Sequence, residues 1–369
     1  MKIIKITTEP LSLPLRRPFI TAYRTVEKLE NILVKLHTDT GETGYGEAPA
    51  VTAVTGEASA SITEAIHHYI APLITDMDVR DIYMISARIQ SALYGNPAAK
   101  SAVESAVYDI WGQYQRAPLY QLLNRAPIKE NRPHAIIENN DLTISAGDTE
   151  SMTADALQAV KNGHSILKIK LGKNACTDGL TLLSLWAALK ERWPYTGLKF
   201  RVDANQGWTV KEALRIIHAW ESQGVPLDWI EQPVAAGDIA GLKTVTDSTD
   251  IDIVADEAVF SARDAVKVLE RRAADMINIK LGKAGGPGNA LKIADLCEIY
   301  QVKCVIGCML ESRLGAAAAA HIAYAHPNIV KIDLDGPLLC AEDFFVQGPI
   351  FNGAHIDMTQ DLGWGLNPK

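Results

Sequence analysis

The chain has 369 residues, more than one ordinary domain, and suits a barrel of about 250 residues with a smaller companion domain. Its 47% hydrophobic and 22% charged residues are those of a soluble globular protein, and no apolar run reaches the roughly 20 residues of a membrane span. A formal charge of -8 without a basic cluster argues against nucleic acid as a partner.

Met1-Lys2-Ile3-Ile4 leads straight into strand-like sequence with no signal-peptide layout, so the expected location is the cytoplasm. There are five cysteines and no Cys-x-x-Cys pair; Cys304 and Cys308 have no histidine pair nearby and read as reduced thiols near a strand.

Residues 1–130 are expected to form an α+β capping domain. Lys2 to Leu15 and Asn31 to Thr38 have strand character, and Asp39-Thr40-Gly41 is a turn signal before Thr43. Between the first two strands, Arg17 to Arg24 reads as an exposed loop, where functional side chains often sit. Glu57 to Ile74, Ile82 to Tyr94 and Ala98 to Gln115 carry apolar residues at helical spacing, with Pro97 suited to a first turn.

From about His134 short apolar strands alternate with amphipathic helices, the pattern of a parallel sheet with helical crossovers. Strands are expected to end near Thr143, Lys170, Asp203, Glu231, Asp256, Lys280, Gly307 and Asp333. The intervening helices fall at Ser151 to Asn162, Thr177 to Arg192, Val210 to Gln223 and Ile239 to Thr246, then Ala262 to Arg272, Asn289 to Tyr300 and Gly315 to Ala325. Eight strands and seven helices make an α/β fold, a (β/α)7β barrel over residues 131–339. The tail, 340–369, is rich in Gly and Pro, shows no clear helix and is expected to pack back on the cap.

Within Leu167-Lys168-Ile169-Lys170-Leu171, strand alternation puts both lysines on one face. Asp203, Glu231 and Asp256 each close an apolar strand, and Lys280 closes another, at intervals of roughly 25 to 33 residues, one strand-plus-helix unit. Any one acid could simply cap the next helix; three in register with lysines converge on one barrel mouth. Three carboxylates with no histidine or cysteine form a hard, oxygen-only set suited to Mg²⁺ or Mn²⁺. Lys170 and Lys280, on the second and sixth strands, flank that mouth from opposite sides. A lysine buried beside another ammonium and a divalent cation has its charged form disfavoured, which makes it a usable base. Lys168 is expected to stay protonated and hold a substrate carboxylate, and Asp333 with Asp335 to receive a cation such as a substrate ammonium group. The run Gly282 to Gly288 lacks the Gly-Lys-Ser/Thr ending of a phosphate loop and reads as a close-packed turn, and the Asp203 to Gly207 segment fails as a calcium loop.

Taken together, Lys168-x-Lys170, Asp203-Ala204-Asn205, Glu231-Gln232-Pro233, Asp256-Glu257 and Asn278-Ile279-Lys280 make the chain resemble the enolase superfamily over almost its whole length. The likeness is to the muconate lactonising subgroup and, within it, the dipeptide epimerases acting on L-Ala-D/L-Glu. The resemblance implies a metal on Asp203, Glu231 and Asp256, acid/base catalysis by Lys170 and Lys280, and Lys168 as a carboxylate partner. It also implies that Asp333 and Asp335 bind the dipeptide ammonium and Arg24 the glutamyl side chain, with Thr143, Cys308 and Met309 lining the pocket. The implied reaction is a two-lysine proton transfer through a metal-stabilised enediolate, in recycling of cell-wall peptides. The alternatives left open are N-acylamino acid racemisation, o-succinylbenzoate synthesis or cycloisomerisation, and, from another class, a metal-free Schiff-base aldolase. Nothing in the sequence decides between a monomer and a homo-oligomer.

Overall fold

A computed structural model describes residues 1–125, 135–193 and 197–369. The expected boundary near residue 130 and His134 lie outside the described residues. Strands β1 (Ile3–Ile20), β2 (Thr25–Thr38) and β3 (Thr43–Ala48) form an antiparallel sheet in that order. Helix α1 (Ser59–Glu64), a π-helical turn (Ala65–Ile70) and α2 (Ala71–Ile74) run on from one another, followed by α3 (Ile82–Ser91), α4 (Pro97–Gln115) and the short α5 (Leu119–Leu122). Pro97 sits in the first turn of α4, where its missing N–H costs nothing. This helix lies directly on the sheet because Gly44 and Gly46 leave room: a Cβ at either would overlap the Ala106 or Ala102 carbonyl.

After β4 (Ala135–Glu138) the chain alternates as expected. The elements are β5 (Leu142–Ile144), α6 (Thr149–Lys161), β6 (Ile166–Lys170), α7 (Ala175–Arg192), β7 (Lys199–Asp203), α8 (Val210–Ser222), β8 (Leu227–Glu231) and α9 (Ile239–Thr246). They continue with β9 (Ile253–Ala255), α10 (Ala262–Arg271), β10 (Met276–Lys280), α11 (Leu281–Ala284), α12 (Pro287–Ile299), β11 (Lys303–Gly307), α13 (Arg313–Ala325), β12 (Ile329–Asp333) and α14 (Gly336–Leu339). Strands β5 to β12 form one parallel sheet in sequence order. Its ends meet through side chains: Asn140 accepts from Leu334 N (2.9 Å) and donates to Leu334 O (3.3 Å), and Asp335 Oδ2 accepts from Thr143 N (2.6 Å). Most of the longer barrel helices start on a side-chain cap, as in the Thr209–Glu212 capping box of α8.

One expectation changes. Arg17 to Arg24 is not a free loop: β1 runs on to Ile20, its register slipping between Pro14 and Phe19, and only residues 21–24 turn before β2. The tail, in which no helix is expected, holds only short strands. It forms β13 (Phe345–Val346), β14 (Ile350–Asn352), β15 (His355–Met358) and β16 (Asn367–Pro368), with β15 pairing antiparallel to β4. It also packs on the cap: Trp364 donates from N to Asp109 Oδ1 and from Nε1 to Ser105 O, both on α4. No helix among the described residues is long and apolar enough to cross a membrane.

Candidate active site

In the parallel ladder Lys168 lies beside Arg201 and Lys170 beside Asp203, while Asp203 lies beside Glu231. Neighbours in register point to the same side of a sheet. All five therefore turn into the barrel, leaving Leu167, Ile169, Phe200 and Val202 to pack against the helices. Asp256 follows one residue after β9, and Lys280 ends β10.

The charges interlock. Lys168 Nζ contacts Asp333 Oδ2 (2.5 Å), Glu231 Oε2 (2.6 Å) and Asp203 Oδ2 (3.5 Å). Lys170 Nζ donates to Asp203 Oδ2 (2.6 Å), and Lys280 Nζ to Asp256 Oδ2 (2.7 Å), with Glu231 Oε1 at 3.5 Å. Burial by itself lowers the Lys168 and Lys280 ammonium groups, but Asp333 and Glu231 beside the first, and Asp256 and Glu231 beside the second, hold both well above the usual lysine range. The ammonium groups grip these carboxylates directly.

A cavity of about 680 Å³, open mouth included, lies over this cluster. Lys170, Lys280 and Asp256 reach it from the barrel; Lys168, Asp203 and Glu231 do not and lie buried below, 1%, 0% and 0% exposed. Thr143, Asp333 and Asp335 line one side, Cys308 and Met309 another. Asp335 stands two residues past the end of β12 in a helical conformation, so it shares the cavity with Asp333 without sharing its strand face. Burial tends to raise both acids; Lys168, Lys280 and Lys170 bring Asp333 down to about 2, while Asp335 stays raised beside the charge of Asp333. Burial and then the Asp333 and Asp335 charges push the Cys308 thiol well up, which keeps it a neutral wall residue.

The cap supplies the roof. Thr21, Tyr23 and Arg24 of the hairpin tip, with Val51 and Val54 after β3, face the cavity. Ala146 N donates to Ile20 O (2.9 Å), and the Tyr23 hydroxyl donates to the Asn205 carbonyl, tying the hairpin to the barrel loops. The Arg24 guanidinium is half-buried; desolvation lowers it, and no ion-pair partner faces it among the described residues.

Sequence reasoning passed over several residues here. Lys283, read only as part of a tight turn, points back at Asp256. Its signal was the three-residue offset from Lys280, one helical turn. Of the run Gly282 to Gly288 only Gly285 and Gly286 form the close-packed turn, between α11 and α12: Gly286 has φ +124°, a Cβ there would strike Glu104, and that carboxylate accepts from Gly288 N (3.0 Å) at the start of α12. Glu257, adjoining Asp256, is pushed up to about 8 by burial and then by the charges of Asp256 and Asp203. Below the site Arg201 donates to Asp141 Oδ2 (2.8 Å) and Asp228 Oδ2 (2.9 Å) and lies 3.9 Å over the Trp229 ring, a charged layer inside the barrel whose signal was the alternation that puts Arg201 on the face of Asp203.

Asp203, Glu231 and Asp256 are buried carboxylates from three consecutive strands, an all-oxygen set whose chemistry fits a hard divalent cation. Among the described residues, the trios whose ligand atoms lie within 4.8 Å of one another are Asp141, Asp333 and Asp335, beside Arg201 and Lys168, and, nearer the surface, Asp295 and Glu298 with His326.

Residues 151–369 match the family description "Enolase C-terminal domain-like", and residues 3–124 match "Mandelate racemase / muconate lactonizing enzyme, N-terminal domain". The chain is 42% identical to the L-Ala-D/L-Glu epimerase of Clostridium acetobutylicum over 99% of both proteins. It superimposes on a substrate-liganded complex of the L-Ala-D/L-Glu epimerase from Bacillus subtilis with a TM-score of 0.94 and 41% identity, covering 100% of this chain and 99% of the other. A dipeptide epimerase from Enterococcus faecalis complexed with Mg and the dipeptide L-Leu-L-Tyr matches with a TM-score of 0.91 and 32% identity over all of both chains. With a capping sheet, a parallel eight-stranded barrel and charged strand ends converging at its mouth, the chain belongs to the mandelate racemase / muconate lactonizing enzyme family of the enolase superfamily.

Proposed function

We propose that this protein is a Mg²⁺-dependent isomerase that epimerises dipeptides, with L-Ala-D-Glu and L-Ala-L-Glu as its preferred pair. The observation that carries this reading is the placement of Lys170 and Lys280. They stand four strands apart in an eight-stranded barrel, hence on opposite sides of its axis, and both reach one cavity. Inverting a carbon centre requires a proton acceptor on one face and a donor on the other, and two lysines so placed supply both.

Asp203, Glu231 and Asp256 would hold the metal, for which Mn²⁺ is a chemical substitute. When bound, the ion supplies positive charge to the carboxylate oxygens of the C-terminal residue, where electrons gather as the α-proton leaves. One of the two lysines removes that proton and the other returns one to the opposite face. Lys168, kept cationic by Asp333 and Glu231, adds positive charge from beneath. Asp333 and Asp335 receive the dipeptide ammonium; the hydrogen bonds to Lys168 and Thr143 N use Oδ2 of each, which leaves each a second oxygen. Arg24 meets the glutamyl carboxylate from the roof. Thr143, Cys308 and Met309 bound the space around the alanyl residue. A plain acyl group carries no ammonium where an N-terminal aminoacyl residue does, so the Asp333 and Asp335 wall favours a dipeptide with a free amine over the N-acylamino acids and cycloisomerase substrates.

The likeness to epimerases of dipeptides containing alanine and glutamate supports the substrate choice. Five free cysteines support a reducing, cytoplasmic setting, the place for recycling cell-wall peptides. We assign residues 1–130 to the cap, 131–339 to the barrel and 340–369 to the returning tail. The reading is tested by incubating L-Ala-D-Glu with protein and Mg²⁺: formation of L-Ala-L-Glu supports it, and no turnover of any dipeptide by metal-loaded protein refutes it.

A further inference from the structure

Lys283 lies in α11, one turn beyond Lys280, and is 1% exposed. Its ammonium donates to Asp256 Oδ1 and to the Asp256 carbonyl, with the Val259 and Asn278 carbonyls at 3.3 and 3.4 Å and the centre of the Phe260 ring 5.4 Å away. It does not line the cavity, so it has no route to substrate. The other Asp256 oxygen, Oδ2, takes Lys280 at 2.7 Å. One carboxylate thus has its two oxygens on different cations, one facing the cavity and one closed off in the protein. The carbonyl contacts also fix the backbone that carries this carboxylate. We propose that Lys283 is a positioning residue that clamps Oδ1 and the main chain of Asp256 so that Oδ2 is presented to the divalent cation. This rests on the reading of Asp256 as a metal ligand.

The sign of one measurement separates this role from a bare charge effect. A nearby ammonium repels a divalent ion, so deleting it as charge alone tightens metal binding. Deleting a partner that orients a ligand weakens metal binding, typically about 10- to 100-fold. The test is Mn²⁺ binding to the full chain, read by the electron paramagnetic resonance of free Mn²⁺, for wild type, Lys283→Met and Lys283→Gln, with circular dichroism reporting the fold. The clamp predicts a Kd weakened about 10- to 100-fold in Lys283→Met and less in Lys283→Gln, which keeps hydrogen-bond donors but not the charge. Should the methionine variant fail to fold, a weakened Kd in the glutamine variant still carries the prediction. Unchanged or tighter binding in the folded variants overturns the clamp and leaves the metal reading standing. A wild type that binds no Mn²⁺ overturns both.

Discussion

Arg24→Ala gives the sharpest test of substrate choice. The guanidinium stands half-buried at the hairpin tip, with no carboxylate facing it among the described residues, so an incoming glutamyl carboxylate meets a cation that is not already paired. At about 4 Å and an effective dielectric near 20 the Coulomb attraction is roughly 4 kcal/mol. Desolvation takes back part of this, and charged hydrogen bonds net about 1.5–3 kcal/mol in proteins. A loss of about 2–3 kcal/mol corresponds to a fall of roughly 30- to 150-fold in kcat/KM for L-Ala-D-Glu, carried mainly by KM. A neutral dipeptide such as L-Ala-L-Leu has no charge for Arg24 to meet, and its kcat/KM should change by no more than about threefold. The assay is epimerisation of both dipeptides by wild type and variant, followed by proton NMR. Equal losses on both would remove Arg24 from side-chain recognition and leave it a structural part of the hairpin.

The two lysines should separate in isotope exchange. Lys170→Ala and Lys280→Ala should each abolish epimerisation, and each should retain α-proton exchange from only one isomer in D₂O; full epimerase activity in either variant contradicts the two-base scheme. A pH effect should arise where cap meets barrel. Buried Glu311 is pushed up to about 8 by burial and then by the charge of Glu47, against an ordinary 4.5. The folded state therefore binds the extra proton in this window, and the stabilisation is complete below about pH 4.5 and lost as pH rises through about 8. Glu311→Gln should accordingly gain in melting temperature relative to wild type between pH 6 and pH 9, and parallel pH curves for the two proteins would contradict the assignment.

The barrel was legible because chemistry marks its strand ends. Apolar runs closing on Lys170, Asp203, Glu231, Lys280 and Asp333 stop at those residues in the structure. What stayed hidden depends on contacts distant in sequence. Arg16-Arg17-Pro18 breaks the strand alternation, so the extension of β1 to Ile20 is visible only from its pairing with Thr25 and Val26. Likewise β15 pairs with β4, which lies before the whole barrel sheet in sequence, and neither strand signals its partner. The site residues were recognisable as a set, yet their depth was not. Alternation puts Lys168 and Lys170 on one face but does not say that the first is sealed beneath the cavity while the second opens into it. Lys283 was obscured because its glycine neighbours read as a turn.

The most direct test of the central claim is proton NMR of L-Ala-D-Glu with purified protein and Mg²⁺ in D₂O, repeated with EDTA. Loss of the glutamyl α-proton signal with growth of L-Ala-L-Glu, both stopped by EDTA, is the predicted result. Epimerisation that continues undiminished in EDTA, or metal-bound protein that exchanges the α-proton of no dipeptide, would contradict it.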